Sequence, residues 1–219
     1  MKNFKKLLSI VMVLVMVFAM TTSAFAADAN YVSVSITTGN FNTSGVYVGG
    51  GTPLTTITIP LTNQEISLAT LSNYVNNQNL KGTYYLPQYA TDPLPGQASV
   101  LDAVIAVLKD AGYTDINAGW SSYSAPEYGI YPGGYIKDFG GTNVSNTVTY
   151  EDRDDGYIWG HSTGMGWNIA YKPAGGSYTT TYNEQSLYMS SVPVASGMDI
   201  IIDLSQFDME WNTYEEWEE

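Results

Sequence analysis

The chain has no cysteine among its 219 residues. Disulfide scaffolds, thiolate metal sites and cysteine nucleophiles are therefore excluded. Cationic side chains are scarce as well: eight Lys and Arg stand against 21 Asp and Glu, for a net charge of −13. A nucleic-acid binder needs a basic face to neutralise phosphates, and this composition cannot build one. Adhesion to an anionic lipid surface is disfavoured for the same reason. There is a single histidine, His161, and one imidazole cannot hold zinc tightly. After the first 26 residues no apolar run approaches the ~20 residues that a membrane-spanning helix needs.

The N-terminus carries what the rest lacks. Lys2, Lys5 and Lys6 precede an apolar run from Leu7 to Met20 that only Ser9 interrupts, and Ala24-Phe25-Ala26 follows. A basic start, a short apolar core and a small-residue site predict a secretory signal peptide over 1–26. Its removal takes away three of the eight cationic residues and no acid, moving the net charge from −13 to −16. About 190 residues remain, enough to bury one core without disulfides. Cysteine-free exported chains are commoner in Gram-positive bacteria than in animals, so the expected location is extracellular, from such a bacterium. The expected organisation is one domain over 27–211 and an acidic tail over 212–219.

Periodicity predicts the elements. Tyr31 to Ile36 (YVSVSI) and Thr55 to Leu61 (TTITIPL) alternate apolar and polar residues as half-buried strands do, with Pro60 at an edge or an end. A short helix is expected at about 67–76, and a long loop from there to 97. Ser99 to Gly112 (SVLDAVIAVLKDAG) sets Val100, Leu101, Val104, Ile105 and Leu108 at helical spacing. Ser99 and Asp102 form a capping-box start, and Gly112 a left-handed stop. Three further strands are expected: Tyr135 to Phe139, Gly166 to Lys172 and Met198 to Leu204. In the second, Trp167, Ile169 and Tyr171 share one face. The predicted fold class is α+β: a mixed sheet of about five strands packed on one main helix, with long inserted loops.

That order and several short motifs resemble the transcobalamin-like C-terminal domain family. Val100-Leu101-Asp102-Ala103-Val104 is similar to the family's helix start. Gly134-Tyr135-Ile136-Lys137-Asp138-Phe139-Gly140-Gly141, Gly166-Trp167-Asn168-Ile169-Ala170-Tyr171 and Ser196-Gly197-Met198-Asp199-Ile200-Ile201 resemble its three later strand motifs, with Trp211 beyond the last. The likeness covers about residues 98–211. Ile169 stands where the family prefers an aromatic residue, Lys172-Pro173 replaces an Asn-Gly turn, and Met198 divides the Gly-Asp pair. Residues 62–97 and 142–163 read as insertions against that pattern. The resemblance implies a β-grasp-like fold, and a corrinoid (cobalamin-like small molecule) as ligand.

The chemistry-bearing residues are fewer than the aromatic ones. His161-Ser162 puts a base beside a hydroxyl, but a triad is assembled in space and needs a third group to orient the histidine. No Gly-x-Ser-x-Gly or His-Glu-x-x-His motif accompanies it. Glu151-Asp152-Arg153-Asp154-Asp155-Gly156 gathers carboxylates, yet its spacing fails the EF-hand pattern and reads as a solvated loop. The expectation is no enzyme, no cofactor and no metal. Eighteen tyrosines and five tryptophans exceed what a modest core requires, and many lie among Gly, Ser and Asn. Rings in that company grip sugars, flat cofactors or protein partners, or pack over the sheet. Trp120, Tyr123, Tyr131, Tyr157 and Trp159 are the candidate ligand-binding residues. Two functions stay open: a non-catalytic binder of a corrinoid-like small molecule, and a carbohydrate- or protein-binding adhesion module at the cell surface.

Overall fold

The computed structural model describes residues 30–50, 61–124, 126, 131–142, 144–153, 157–180 and 188–214. In chain order the elements are β1 (Tyr31–Thr38), β2 (Leu61–Ser67), α1 (Leu68–Asn77), α2 (Leu80–Tyr84), α3 (Val100–Asp110), β3 (Asn117–Ser121), β4 (Gly133–Asp138), β5 (Ser145–Arg153), β6 (Tyr157–Lys172), β7 (Thr179–Thr180) and β8 (Asp199–Tyr214). A 3-10 turn at Met189–Ser191 precedes β8. The described residues from Tyr31 to Tyr214 belong to one compact unit.

The main sheet runs β2-β1-β8-β6-β5, with β7 added to β6. β1 and β8 are parallel, and every other pair is antiparallel. This is a mixed sheet with helices, so the α+β expectation holds. Alternation in β1 sends Val32, Val34 and Ile36 into the core, where they meet Ile200 and Ile202 of β8 and Ile169 of β6. Against that apolar face lies α3. Ser99 accepts from the Asp102 amide, Asp102 accepts from the Ser99 amide, and the capping box is complete. At the other end the Tyr113 amide donates to Leu108 and the Gly112 amide to Lys109. That is the Schellman pair, with Gly112 at φ 88°.

The helix is more deeply placed than one apolar stripe predicts. Every residue from Val100 to Leu108 is buried. Its outer side is covered by Leu71 of α1, Leu80 of α2, Tyr85, Ile136 of β4, Met189 and Val192. The 62–97 segment, expected as a short helix and a long loop, thus supplies β2, α1 and α2. Ser67 caps α1, its side chain accepting from the Thr70 amide.

Three strand expectations change. Residues 51–60, which carry most of the TTITIPL pattern, lie outside the described residues, and the partner of β1 is β2, with Tyr31 opposite Ser67 and Val32 opposite Ile66. The YIKDF motif does not join the main sheet. It falls in β4, which pairs with β3 in a separate two-stranded ribbon, and Phe139 meets the sheet by stacking on Trp167 at 4.3 Å. Residues 142–163, expected as an inserted loop, contain β5 and the first half of β6.

The reason that last strand was hidden is steric. β6 and β8 pair without a break from Tyr157 opposite Tyr214 to Lys172 opposite Asp199. On the face turned away from α3, β6 offers Gly160, Ser162, Gly164 and Gly166, while β8 lays Trp211 and Phe207 across those glycines. A Cβ on Gly160 would stand 2.2 Å from the Trp211 ring. Small residues receive large ones across the seam, so the apolar alternation that marks the second half of β6 is missing from its first half.

These close approaches differ in what blocks them. A Cβ on Gly164 would lie 1.9 Å from the Ser145 carbonyl oxygen, a backbone atom, whereas on Gly166 its nearest neighbour is Phe207 Cε1 at 3.3 Å. Gly164→Ala is therefore expected to cost about 1–3 kcal/mol, and Gly166→Ala clearly less. Chemical denaturation of the two variants checks the order.

Candidate functional site

The face of the main sheet opposite α3 carries a buried acid. Asp203 of β8 is fully buried. It accepts from Thr37 Oγ1 at 2.6 Å, from the Asn40 amide at 2.9 Å, from Asn40 Nδ2 at 2.9 Å and from Ser205 Oγ. Four donors leave the carboxylate fully hydrogen-bonded, which is the condition for keeping it inside. Two pleat repeats away on the same face of β8, Asp199 accepts from the Tyr178 hydroxyl and lies 3.4 Å from Lys172 Nζ. The ammonium also sits 4.7 Å from the Tyr178 ring centroid. Tyr178 in turn packs on Tyr47 at 4.8 Å, and Tyr47 on the edge of Phe41 at 5.4 Å. Burial first, then Asp199 and Asp203, push the Tyr47 hydroxyl above the usual tyrosine range. Burial and the Asp199 bond do the same to Tyr178. Both phenols hold their protons through neutral pH, so this cluster fastens segment 39–48 to the sheet.

A second buried polar group stands at the start of α3. Asp102 accepts from the Ser99 amide and hydroxyl, both at 2.7 Å, and from Tyr85 OH at 2.8 Å. Burial raises its pKa above the ordinary carboxylate value, against the lowering effect of those bonds and of the Lys81 charge. Lys81 is itself buried. Its Nζ donates to both Asp92 oxygens at 3.0 Å and to the Leu94 carbonyl at 2.6 Å. All three acceptors come from the segment between α2 and α3, so the ion pair holds that connection closed.

His161 and Ser162 are in β6, not in a loop. Alternation sends them to opposite faces. His161 Nε2 lies 2.7 Å from Asp208 Oδ1 on the exposed α3-side face of the strands, and Ser162 donates to Asn146 Oδ1 at 2.6 Å on the other. The acid orients the base, but the hydroxyl beside it in sequence points away from both.

The five candidate aromatics fall on two sheets. Trp120 lies in β3 and packs against the core, opposite Gly134. Tyr123 follows that strand at 60 % exposure, and Tyr131 precedes β4 at 52 %. Since Ser121 pairs with Gly133, both tyrosines leave the ribbon from the same end. Tyr157 and Trp159 belong to β6 and share its α3-side face with His161. The aromatics that sequence reading missed are Tyr150 and Trp211, which meet edge-on at 6.2 Å on the opposite face. Their signal was the glycine spacing of β6. Among the described residues no group of three or more His, Asp or Glu is placed to hold a metal ion, and no helix is long and apolar enough to cross a membrane. Of the acidic stretch, Glu151, Asp152 and Arg153 close β5, and residues 154–156 lie outside the described residues.

The buried Tyr85 sets an alkaline limit. Burial, then the Asp102 charge, raise its pKa well above the ordinary tyrosine value of about 10. The folded chain keeps that proton where the unfolded chain loses it, so stability is held below about pH 10 and declines as pH rises beyond it. Tyr85→Phe is expected to lose about 1.5–3 kcal/mol at pH 7, the worth of a bond to a carboxylate, and to show a shallower decline above pH 10. Denaturation curves between pH 7 and 11 measure both.

Compared with protein-family models, curated proteins and solved structures, the chain matches none.

Proposed function

We propose that the chain is an exported, non-catalytic adhesion module on a β-grasp-like scaffold, which meets a glycan or protein surface through exposed aromatic rings. The leader-like start of the sequence supports export. The β-grasp reading is supported by the order β2-β1-β8-β6, with the first and last strands parallel at the centre and α3 across one face. Opposed side-chain directions at His161 and Ser162 favour a binding role over acyl transfer.

The observation that carries the reading is the placement of Tyr123 and Tyr131. Both are more than half exposed, and both leave the same end of the β3–β4 ribbon. Paired tyrosines on an open surface suit a flat or extended partner: each presents a ring face for stacking and a hydroxyl for hydrogen bonding. A corrinoid remains the partner that the family resemblance implies, and the same measurement separates the two.

The chain lacking residues 1–26 is titrated with cobalamin, with soluble cell-wall glycans and with polysaccharides, following tryptophan fluorescence and corrinoid absorbance. Saturable glycan binding that falls at least about tenfold in the Tyr123→Ala, Tyr131→Ala double variant is expected. Binding untouched by that double substitution overturns the aromatic site. A corrinoid absorbance shift without glycan binding replaces the adhesion reading with the small-molecule one.

A further inference from the structure

β5 is the last strand of the main sheet, and its outer edge has no partner strand among the described residues. Every residue from Ser145 to Asp152 is exposed. Its pairing with β6 is regular over the whole length, from Ser145 opposite Met165 to Arg153 opposite Tyr157, without a bulge. The strand contains neither proline nor lysine, and its three charged residues, Glu151, Asp152 and Arg153, are confined to its last third. Chains that stay single usually blunt such an edge with one of these devices. The opposite edge of this sheet does so: the β1–β2 register slips between Val34 and Ile36, Asn63 sits at φ 50°, and α1 follows β2 directly. Of the two edges of the main sheet, that of β5 is the long and regular one, unpaired among the described residues.

We propose that this edge pairs with the β5 edge of a second copy, antiparallel about a twofold axis at Thr149. Such an isologous contact continues the sheet from one protomer into the next. The residues themselves select the register. With Thr149 opposite its own copy, Val148 stands opposite Tyr150, Thr147 opposite Glu151, Asn146 opposite Asp152 and Ser145 opposite Arg153. Each acid faces a neutral residue that can donate a hydrogen bond, and no two like charges meet. That matters for a chain of net charge −13, most of whose surfaces repel a copy of themselves. Parallel pairing in register sets Glu151 on Glu151 and Asp152 on Asp152, which is unfavourable.

The apolar side chains follow the same geometry. Val148 and Tyr150 lie on the face that carries Trp211, and Tyr150 is 67 % exposed. Across the twofold, the Val148 of each copy comes beside the Tyr150 of the other. Trp211, Tyr150 and Val148 then form one continuous strip with their symmetry mates, covering side chains that a lone protomer leaves in water. This pairing uses a different surface from the Tyr123 and Tyr131 end of the ribbon, and either can hold without the other.

The test exploits the absence of cysteine. In an antiparallel pair, directly opposed residues have Cα atoms about 4.5–5.5 Å apart, within reach of a disulfide. Thr149→Cys should therefore cross-link to its own copy under mild oxidation. Thr147→Cys should not, because two Thr147 residues are offset by four positions, roughly 13 Å. Light scattering of the chain lacking residues 1–26 should show a dimer. Thr149→Lys places two ammonium groups opposite each other and should weaken association at least about tenfold while leaving the melting temperature of the protomer unchanged. Mixing the Thr149→Lys and Thr149→Glu variants should restore pairing as a heterodimer. A chain that stays monomeric up to about 1 mM, equal cross-linking at 147 and 149, or a Thr149→Lys variant that dimerises like the parent each overturns the proposal.

Discussion

Everything in this fold hangs on the pairing of its first strand with its last. Ser33 to Thr38 run parallel to Asp199 to Leu204, so the centre of the sheet joins two ends of the domain. Closing so long a stretch of chain costs entropy before any contact compensates. Two sets of interactions offset it, one on each face. On the α3 side, Val34 and Ile36 pack with Ile200 and Ile202. On the other, Asp203 gathers Thr37, Asn40 and Ser205, which lashes the exit of β1 to β8. A carboxylate buried without those donors would oppose folding strongly, and with them it determines how segment 39–48 lies.

The helix over that sheet is held by the same logic. An ordinary surface helix hides one stripe; α3 hides its whole length to Leu108 because the chain between β2 and α3 wraps its outer side. Its N-terminal cap is consequently interior, and Ser99, Asp102 and Tyr85 satisfy one another there. The buried Lys81–Asp92 pair then secures the wrap itself. Among the described residues, these buried polar groups lie where the path of the chain would otherwise be free, and each fixes the course of a connecting segment.

Beyond the core, β5, β6 and β8 continue as a three-stranded arm whose two faces differ. One bears His161, Asp208, Tyr157 and Trp159; the other sets Trp211 and Phe207 over glycines. The large rings on β8 need the glycines of β6, so the arm is specified by a relation between strands.

By itself the sequence determined the helix from Ser99 to Gly112, its two caps, β1, the inward side of Ile169, and the class of a strand-rich domain around one helix. These are local matters: alternation, helical spacing and capping act within a few residues, and a reader of the chain can see them. Partnership was decided only by the tertiary structure. Whether Tyr135 to Phe139 joins the main sheet or a ribbon is decided by its pairing with β3. That residues 157–166 belong to a strand depends on rings some forty to fifty residues later in the chain. The neighbours His161 and Ser162 separate because a strand turns successive side chains to opposite faces, and the proton partner of the histidine, Asp208, arrives from another strand altogether.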